Sequence, residues 1–339
     1  LTARLQETLI VGGGVTGMTA ALDLAAIGRP ARLVEKRKTL GGYAANYCCK
    51  ATDRCQQCGA CLVDEMARKV EEEPLITLAL STEVTDIERD EQGFSAELAS
   101  GDRRERTGFP AVLLSAGFIP FNPRQKPHLG YGRIANMITG ADLEKMLRDT
   151  GSVVRPSDRR PPERMAFVQC VGSRDAALGN VYCSRVCCAY ALRIARLLKR
   201  ENPGLDITFF YMDVQTFGKS FAAIWPDVGE EIRMIREMPG EYYRLEGDRI
   251  GVVVPYPDGA REETFDLLAL SVGMTPGADH KKWSEKLGFD LNDDGFLAPG
   301  GSAGAVAAGS ATGPLGIKEC IEDAHRAARR LTLFLEGAS

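Results

Sequence analysis

Several things are scarce in these 339 residues. No apolar run approaches the roughly 20 residues that span a bilayer; Leu267–Val272 is among the longest. The first ten residues hold no apolar stretch of the kind that marks a secretory leader. The chain starts at Leu1 rather than Met, so loss of an initiator Met is expected. Excess charge is missing too: 42 Lys and Arg stand against 46 Asp and Glu, a net charge of −4. Neither a nucleic-acid groove nor an acidic-lipid surface is therefore expected, and the short apolar runs predict no direct membrane insertion. The three histidines, His128, His280 and His325, are scattered, and no hydrolytic or acid–base constellation stands out. There are no internal repeats or low-complexity tracts. The expectation is a cytoplasmic protein. Its apolar fraction of 44% is enough for a real core, and its length suits two domains.

Cysteine is what the chain has in abundance. Nine of the ten fall in two tight groups, residues 48–61 and 170–188. In a reducing compartment such groups point to metal or redox chemistry rather than structural disulfides.

Along the chain, strands alternate with helices, which predicts an α/β fold. An apolar strand at residues 8–11 runs into Gly12-Gly13-Gly14-Val15-Thr16-Gly17, then a helix that ends at Gly28, then a strand at 31–35. Strand-rich sequence follows from 76 to 114, with a turn at Asp90-Glu91-Gln92-Gly93. Residues 152–162 read as a linker. A second strand–loop–helix unit opens at 164–170, with its helix expected over 184–200. Strands are expected at 205–212, 249–255, 261–266 and 267–272, with a hairpin at Tyr256-Pro257-Asp258-Gly259. A last helix should follow Gly313-Pro314.

Gly12, Gly14 and Gly17 spell GxGxxG between a strand and a helix, and Glu35 ends the next strand. The first glycine makes a tight turn, the second lets backbone approach a pyrophosphate, and the third lets helix and strand pack closely. The helix N-terminus adds positive potential. Glu35 would accept hydrogen bonds from ribose hydroxyls. A lone GxGxxG is a weak signal; strand, glycines, helix, strand and acid in this order are a strong one.

Leu40-Gly41-Gly42 after the acid resembles flavoproteins with two Rossmann-like dinucleotide-binding domains, of the thioredoxin reductase and glutathione reductase type. The resemblance implies FAD. Leu113-Leu114-Ser115-Ala116-Gly117 looks like the return to the FAD domain. Ala307-Ala308-Gly309-Ser310 and the helix after Gly313-Pro314 look like the segment that passes the ribityl chain and points a helix at the flavin. Ser310 stands where such proteins carry Asp. The implied organisation is a discontinuous FAD domain, residues 1–160 and 265–339, around a second Rossmann-like domain, 161–264. The loop of that second domain, Val171-Gly172-Ser173-Arg174-Asp175, has one glycine, so no NAD(P)H site is expected there.

Cys170, Cys183, Cys187 and Cys188 read C-x12-C-x3-C-C. The pattern places Cys183 and Cys187 one helical turn apart on one face. Four thiolates at a strand end and a helix start can hold a [4Fe–4S] cluster; zinc or buried small side chains are the alternatives. The runs from Phe167 to Asp175 and from Tyr182 to Ala191 closely resemble the A subunit of heterodisulfide reductase. The resemblance implies that these four cysteines carry a [4Fe–4S] cluster near FAD. It further implies a homodimer and partners like the heterodisulfide reductase B and C subunits, where the sulfur chemistry would occur.

No ferredoxin-like domains are found in the sequence, so the expected role is the flavin core of a heterodisulfide-reductase-like complex of sulfur oxidisers. A quinone-interacting oxidoreductase of sulfate reducers and an electron-bifurcating core are the runners-up; an NAD(P)H-dependent disulfide reductase comes after them. Arg193 stands where bifurcating members carry Lys, which suggests flavin tuning and a non-bifurcating relay. Cys48, Cys49, Cys55, Cys58 and Cys61 admit three readings: a second cluster, a redox-active thiol pair or structural thiols. Cys320, in helical register with Ile317, Ile321 and Ala324, is expected to pack in the core.

Overall fold

A computed structural model describes residues 6–91, 93–215 and 231–337. Gln92 of the expected turn lies outside the described residues, as do 1–5, 216–230 and 338–339 of the expected domains. The chain forms two units. The first holds residues 1–45, 59–119 and 276–339, and the second holds 46–58 and 120–275.

In the first unit, β1 (Thr8–Val11), α1 (Val15–Ala26) and β2 (Ala31–Val34) form a βαβ crossover. Gly28 closes α1 with φ +76, the left-handed stop that glycine adopts without penalty. Next come α2 (Ala60–Glu72), β3 (Ile76–Ala79), an antiparallel meander β4 (Glu83–Asp90), β5 (Gly93–Ser100) and β6 (Arg103–Phe109), then β7 (Val112–Leu114). The strand β8 (Phe118–Pro120) leads out of the unit.

The second unit contains β9 (Met137–Thr139), α3 (Gly140–Thr150), β10 (Arg164–Val171), α4 (Cys187–Glu201), β11 (Asp206–Phe210) and β12 (Arg233–Ile235). After these, β13 (Glu241–Arg244), β14 (Ile250–Tyr256) and β15 (Gly259–Phe265) form an antiparallel sheet, followed by β16 (Leu267–Val272). The strand β17 (Met274–Pro276) leads back to the first unit for α5 (His280–Leu287), β18 (Ala305–Ala307) and α6 (Ile317–Leu335).

Each unit has a parallel five-stranded sheet. The orders are β18-β7-β1-β2-β3 and β12-β11-β10-β16-β9. Strands of such sheets are covered on both faces, which is why β7 and β16 are wholly buried and read as unbroken apolar runs. Leu9, Ile87, Phe94, Leu114 and Trp283 centre the core of the first unit. Phe167, Leu192, Phe209 and Leu267 centre one core cluster of the second. The hairpin at Pro257-Asp258 forms as expected, with Tyr256 paired to Gly259.

The expected boundaries differ from these units. Residues 120–160 and 265–275 fall in the second unit, because β9 pairs with β16 and α3 packs on that strand. The 152–162 stretch is an irregular connection inside that unit, held by Ser157 N donating to Asn136 Oδ1 at 3.0 Å. Among the described residues no helix is long and apolar enough to cross a membrane.

Candidate functional site

In the first unit the chain turns out of β1 at Gly12, where φ is +105 and a Cβ would lie 2.4 Å from Ser115 O. At Gly17 a Cβ would fall 1.9 Å from Gly12 O, so helix and loop touch backbone to backbone. Gly14 differs. Its φ is −76, and nothing lies within 4 Å of where its Cβ would stand. The loop is thus shut on the strand side and open at Gly14, the shape an approaching pyrophosphate requires. No side chain caps α1 and no acid sits in its first turn, so its N-terminal potential is not offset there.

Glu35 is held from both sides. Gly13 N donates to Oε2 and Arg37 N to Oε1, each at 2.8 Å. Each carboxylate oxygen has a second lone pair for a hydroxyl. Gly41 N donates to Gly13 O at 2.8 Å, and a Cβ on Gly42 would stand 3.4 Å from Gly14 Cα. A Cβ on Gly117 would lie 3.8 Å from Ser310 Oγ, and one on Gly309 1.9 Å from Thr16 Oγ1. These contacts link Glu35, Gly41 and Gly42 to the loop of Gly12, Gly14 and Gly17, Gly309 to Thr16 of that loop, and Gly117 to Ser310. Beside Ser310, Asp323 of α6 accepts from Gly309 N at 2.7 Å, a carboxylate that sequence spacing did not reveal. Glu319 caps Gly316 N at 2.9 Å and offsets the positive start of α6. His280 is buried, which depresses its pKa, while His325 pairs with Asp23 at 2.6 Å.

In the second unit, Cys170 is the last residue but one of β10, Cys183 lies in the following loop, and Cys187 and Cys188 open α4. The helix starts at Cys187, not at 184, so the expected pairing of Cys183 and Cys187 on one helical face is corrected. Arg185 has φ +61, which breaks the helix, and Ser184 Oγ accepts from Met274 N at 2.9 Å. Cys170 and Arg174 also have positive φ, +58 and +55. Three left-handed non-glycines between the end of β10 and the start of α4 concentrate strain at the cysteines, a common feature of functional sites.

Burial raises the Cys170 thiol to about 11 and pushes Cys187 and Cys188 up, and neighbouring thiolates of the group add to each rise. The Cys183 sulfur accepts from Arg185 N at 3.2 Å. Among the described residues no three or more His, Cys, Asp or Glu stand close enough to hold a metal ion. A [4Fe–4S] cube is larger than a single ion and needs its thiolates further apart. Four neighbouring sulfurs, two buried and two half-buried, with a backbone N–H on that of Cys183, fit that donor set.

The loop after β10 is closed where the first unit's loop is open: a Cβ on Gly172 would lie 2.0 Å from the Phe121 ring. Arg193, half-buried on α4, donates from Nε to Gln56 O at 3.0 Å. Cys48 and Cys49 line a cleft of about 540 Å3 with Leu147, Arg148, Leu197 and Glu201. Sequence reading missed Glu144 and Lys50, which are buried beside Cys48; their signal was an acid on an unassigned helix and a Lys following a cysteine pair. Cys61 sits on the first turn of α2, in the first unit. Cys320 is buried in α6, where core packing was expected.

The profile of the NAD(P)-binding Rossmann-like domain family matches residues 10–61. The A subunit of the H(2):CoB-CoM heterodisulfide,ferredoxin reductase of Methanothermobacter thermautotrophicus is 27% identical over 96% of this chain and 63% of its own length. An iron-sulfur A subunit of the CoB--CoM heterodisulfide reductase of Methanopyrus kandleri is 30% identical over 97% of this chain and 64% of its own. The chain thus spans less than two thirds of the length of these relatives. The first alignment runs over 429 positions, so at least 90 have no counterpart among 339 residues. Among solved structures, thioredoxin reductases of Lactococcus lactis and T. acidophilum superpose with TM-scores of 0.67 and 0.63 at 19% and 17% identity. They cover 98% and 99% of this chain, and 99% and 100% of their own chains are matched. These bear out the expected α/β fold of two Rossmann-like domains. In sequence this chain is similar, over nearly its whole length, to the A subunits of heterodisulfide reductases.

Proposed function

We propose that the chain is an electron-transfer oxidoreductase subunit that binds FAD in the first unit and a [4Fe–4S] cluster in the second. The observation that carries this reading is the open cradle at Gly14, ringed by Glu35 and the later glycines. When bound, FAD exchanges electrons in pairs or singly and the cluster exchanges them singly. Glu35 anchors the ribose, Gly12 and Gly17 hold the loop close, and Gly14 leaves room for the pyrophosphate. Cys170, Cys183, Cys187 and Cys188 ligate the cluster, and the Arg185 N–H stabilises the Cys183 thiolate. The Phe121 ring over Gly172 supports a second unit without a nicotinamide.

The working context is a cytoplasmic heterodisulfide-reductase-like complex of sulfur oxidation. Partners similar to the B and C subunits carry the sulfur chemistry, and this chain is a homodimer within the complex. The relay is non-bifurcating, in keeping with an arginine rather than a lysine at position 193.

Gly14→Leu tests the reading, because a Cβ at this position meets nothing within 4 Å. Gly14 is the N-cap of α1, where leucine caps less well than glycine, so the variant should lose no more than about 1 kcal/mol of stability and should lose its flavin. Full flavin content in a folded G14L protein sinks the FAD assignment. Iron analysis should give about four atoms per chain. A potentiometric titration should resolve two separated one-electron flavin steps; strongly crossed couples would return bifurcation.

A further inference from the structure

The second group of cysteines holds a site that the electron-relay reading does not use. Residues 46–58 belong to the second unit, and within them Cys55-Gln56-Gln57-Cys58 is irregular chain. Gln57 N donates to Cys55 Sγ at 3.3 Å, and Gln57 adopts φ +52 to do so. Arg193 reaches this loop from α4 and donates to Gln56 O, the carbonyl between the two cysteines, at 3.0 Å. Burial lowers the pKa of its guanidinium, and the Cys58 and Cys55 thiols beside it raise it back. Cys55 is exposed and Cys58 half-buried. Gln56 is buried, and its Oε1 has no hydrogen-bond partner.

We propose that Cys55 and Cys58 are a redox-active dithiol, activated by Arg193, whose substrate is a small-molecule disulfide. A thiolate rather than a thiol is the nucleophile, and a nearby cation and a backbone N–H both favour it. Cys55 has the N–H and the access, so it attacks. Its thiolate displaces one sulfur of RS–SR, forming Cys55–S–S–R and releasing RS⁻, which takes a proton. Cys58 then loses its proton and attacks the Cys55 sulfur. The Cys55–Cys58 disulfide forms, and the second RS⁻ leaves and is protonated. The dithiol gives up two electrons and two protons, and the disulfide RS–SR becomes two RSH.

Cys48 does not compete for this role. Cys48 keeps its proton, donating to Glu144 Oε2 at 3.3 Å, and burial pushes its pKa up to about 12. Among the described residues no three His, Cys, Asp or Glu stand close enough to hold a single metal ion here, and the iron count below tests the larger cluster. The proposal does not depend on FAD or on the cluster, and its test runs on the full chain in either loading state.

The protein is equilibrated with mixtures of oxidised and reduced glutathione, trapped with N-ethylmaleimide, digested and mapped by mass spectrometry. The Cys55–Cys58 peptide should pass from two labels to none in a single two-electron step. In Cys55→Ser the link is lost and glutathione stays on Cys58. Arg193→Met should slow reaction of Cys55 by about tenfold or more at neutral pH. Arg193→Lys, which keeps the charge, should restore most of that rate. Urea midpoints of all variants establish that they are folded. The proposal falls if no glutathione ratio links the pair, or if iron beyond about four atoms per chain shields both cysteines from label. It also falls if folded R193M reacts like wild type.

Discussion

Among single residues, Lys50 and Glu144 carry the sharpest energetic consequence. Both are buried, and Lys50 Nζ lies 2.7 Å from the carboxylate, which also accepts from Cys48 N at 3.1 Å. Lys50 further donates to Cys48 O at 3.1 Å. A buried charge is tolerable only while its partner and hydrogen bonds persist. Lys50→Met should therefore destabilise the protein by about 3–5 kcal/mol, the usual cost of stranding one ion of a buried pair. The double change Lys50→Met with Glu144→Leu should recover much of that loss, because no charge remains buried. Urea unfolding of the wild type, the single and the double variant measures both. A single variant as stable as wild type would show that water reaches the site.

At the scale of elements, sequence pattern and structure agree where an element is long or has strong punctuation. Gly12 to Glu35 is legible because period, glycines and acid all point one way. The helix α3 and strand β9 went unread. Three residues of β9 are too few for a pattern, and their partner β16 lies over 120 positions on. A local signal was nevertheless present: Thr139 and Asp142 form a capping box ahead of buried Leu143 and Leu147. Thr139 Oγ1 accepts from Asp142 N at 3.2 Å, and Thr139 N donates to Asp142 Oδ2 at 2.9 Å. Thr139→Ala should cost about 1 kcal/mol, a typical cap loss, read as a lower urea midpoint. The start of α4 was misread for a physical reason as well. Helical spacing cannot reveal that Arg185 is left-handed, and that conformation takes Cys183 off the helix. The surroundings of Arg193 depend on a loop more than 130 residues away, so no local pattern encodes them.

For the whole molecule, the buried thiols set an alkaline limit on stability, and each unit contributes one outside the proposed cluster ligands. Cys48 in the second unit is pushed up to about 12 and Cys320 in the first to about 11, in both cases mainly by burial. A thiol in the unfolded chain titrates near 9. Both folded values are raised, so the stabilisation is fully present below pH 9 and is lost as pH climbs towards the folded pKa. Between about pH 9 and 11 the unfolded chain has released protons that the folded chain still holds. Each thiol then lowers the unfolding free energy by about 1.4 kcal/mol per pH unit. Cys320→Ala removes one of these titrations. Its stability at pH 8 should fall by roughly 1 kcal/mol through lost packing, since a small buried group leaves a small void. Its decline from pH 9 to 11 should be shallower than that of wild type by one proton's slope. Urea midpoints at pH 8, 9, 10 and 11 for the two proteins give both quantities. Parallel declines would mean that water reaches the Cys320 sulfur and that its pKa is that of an open thiol.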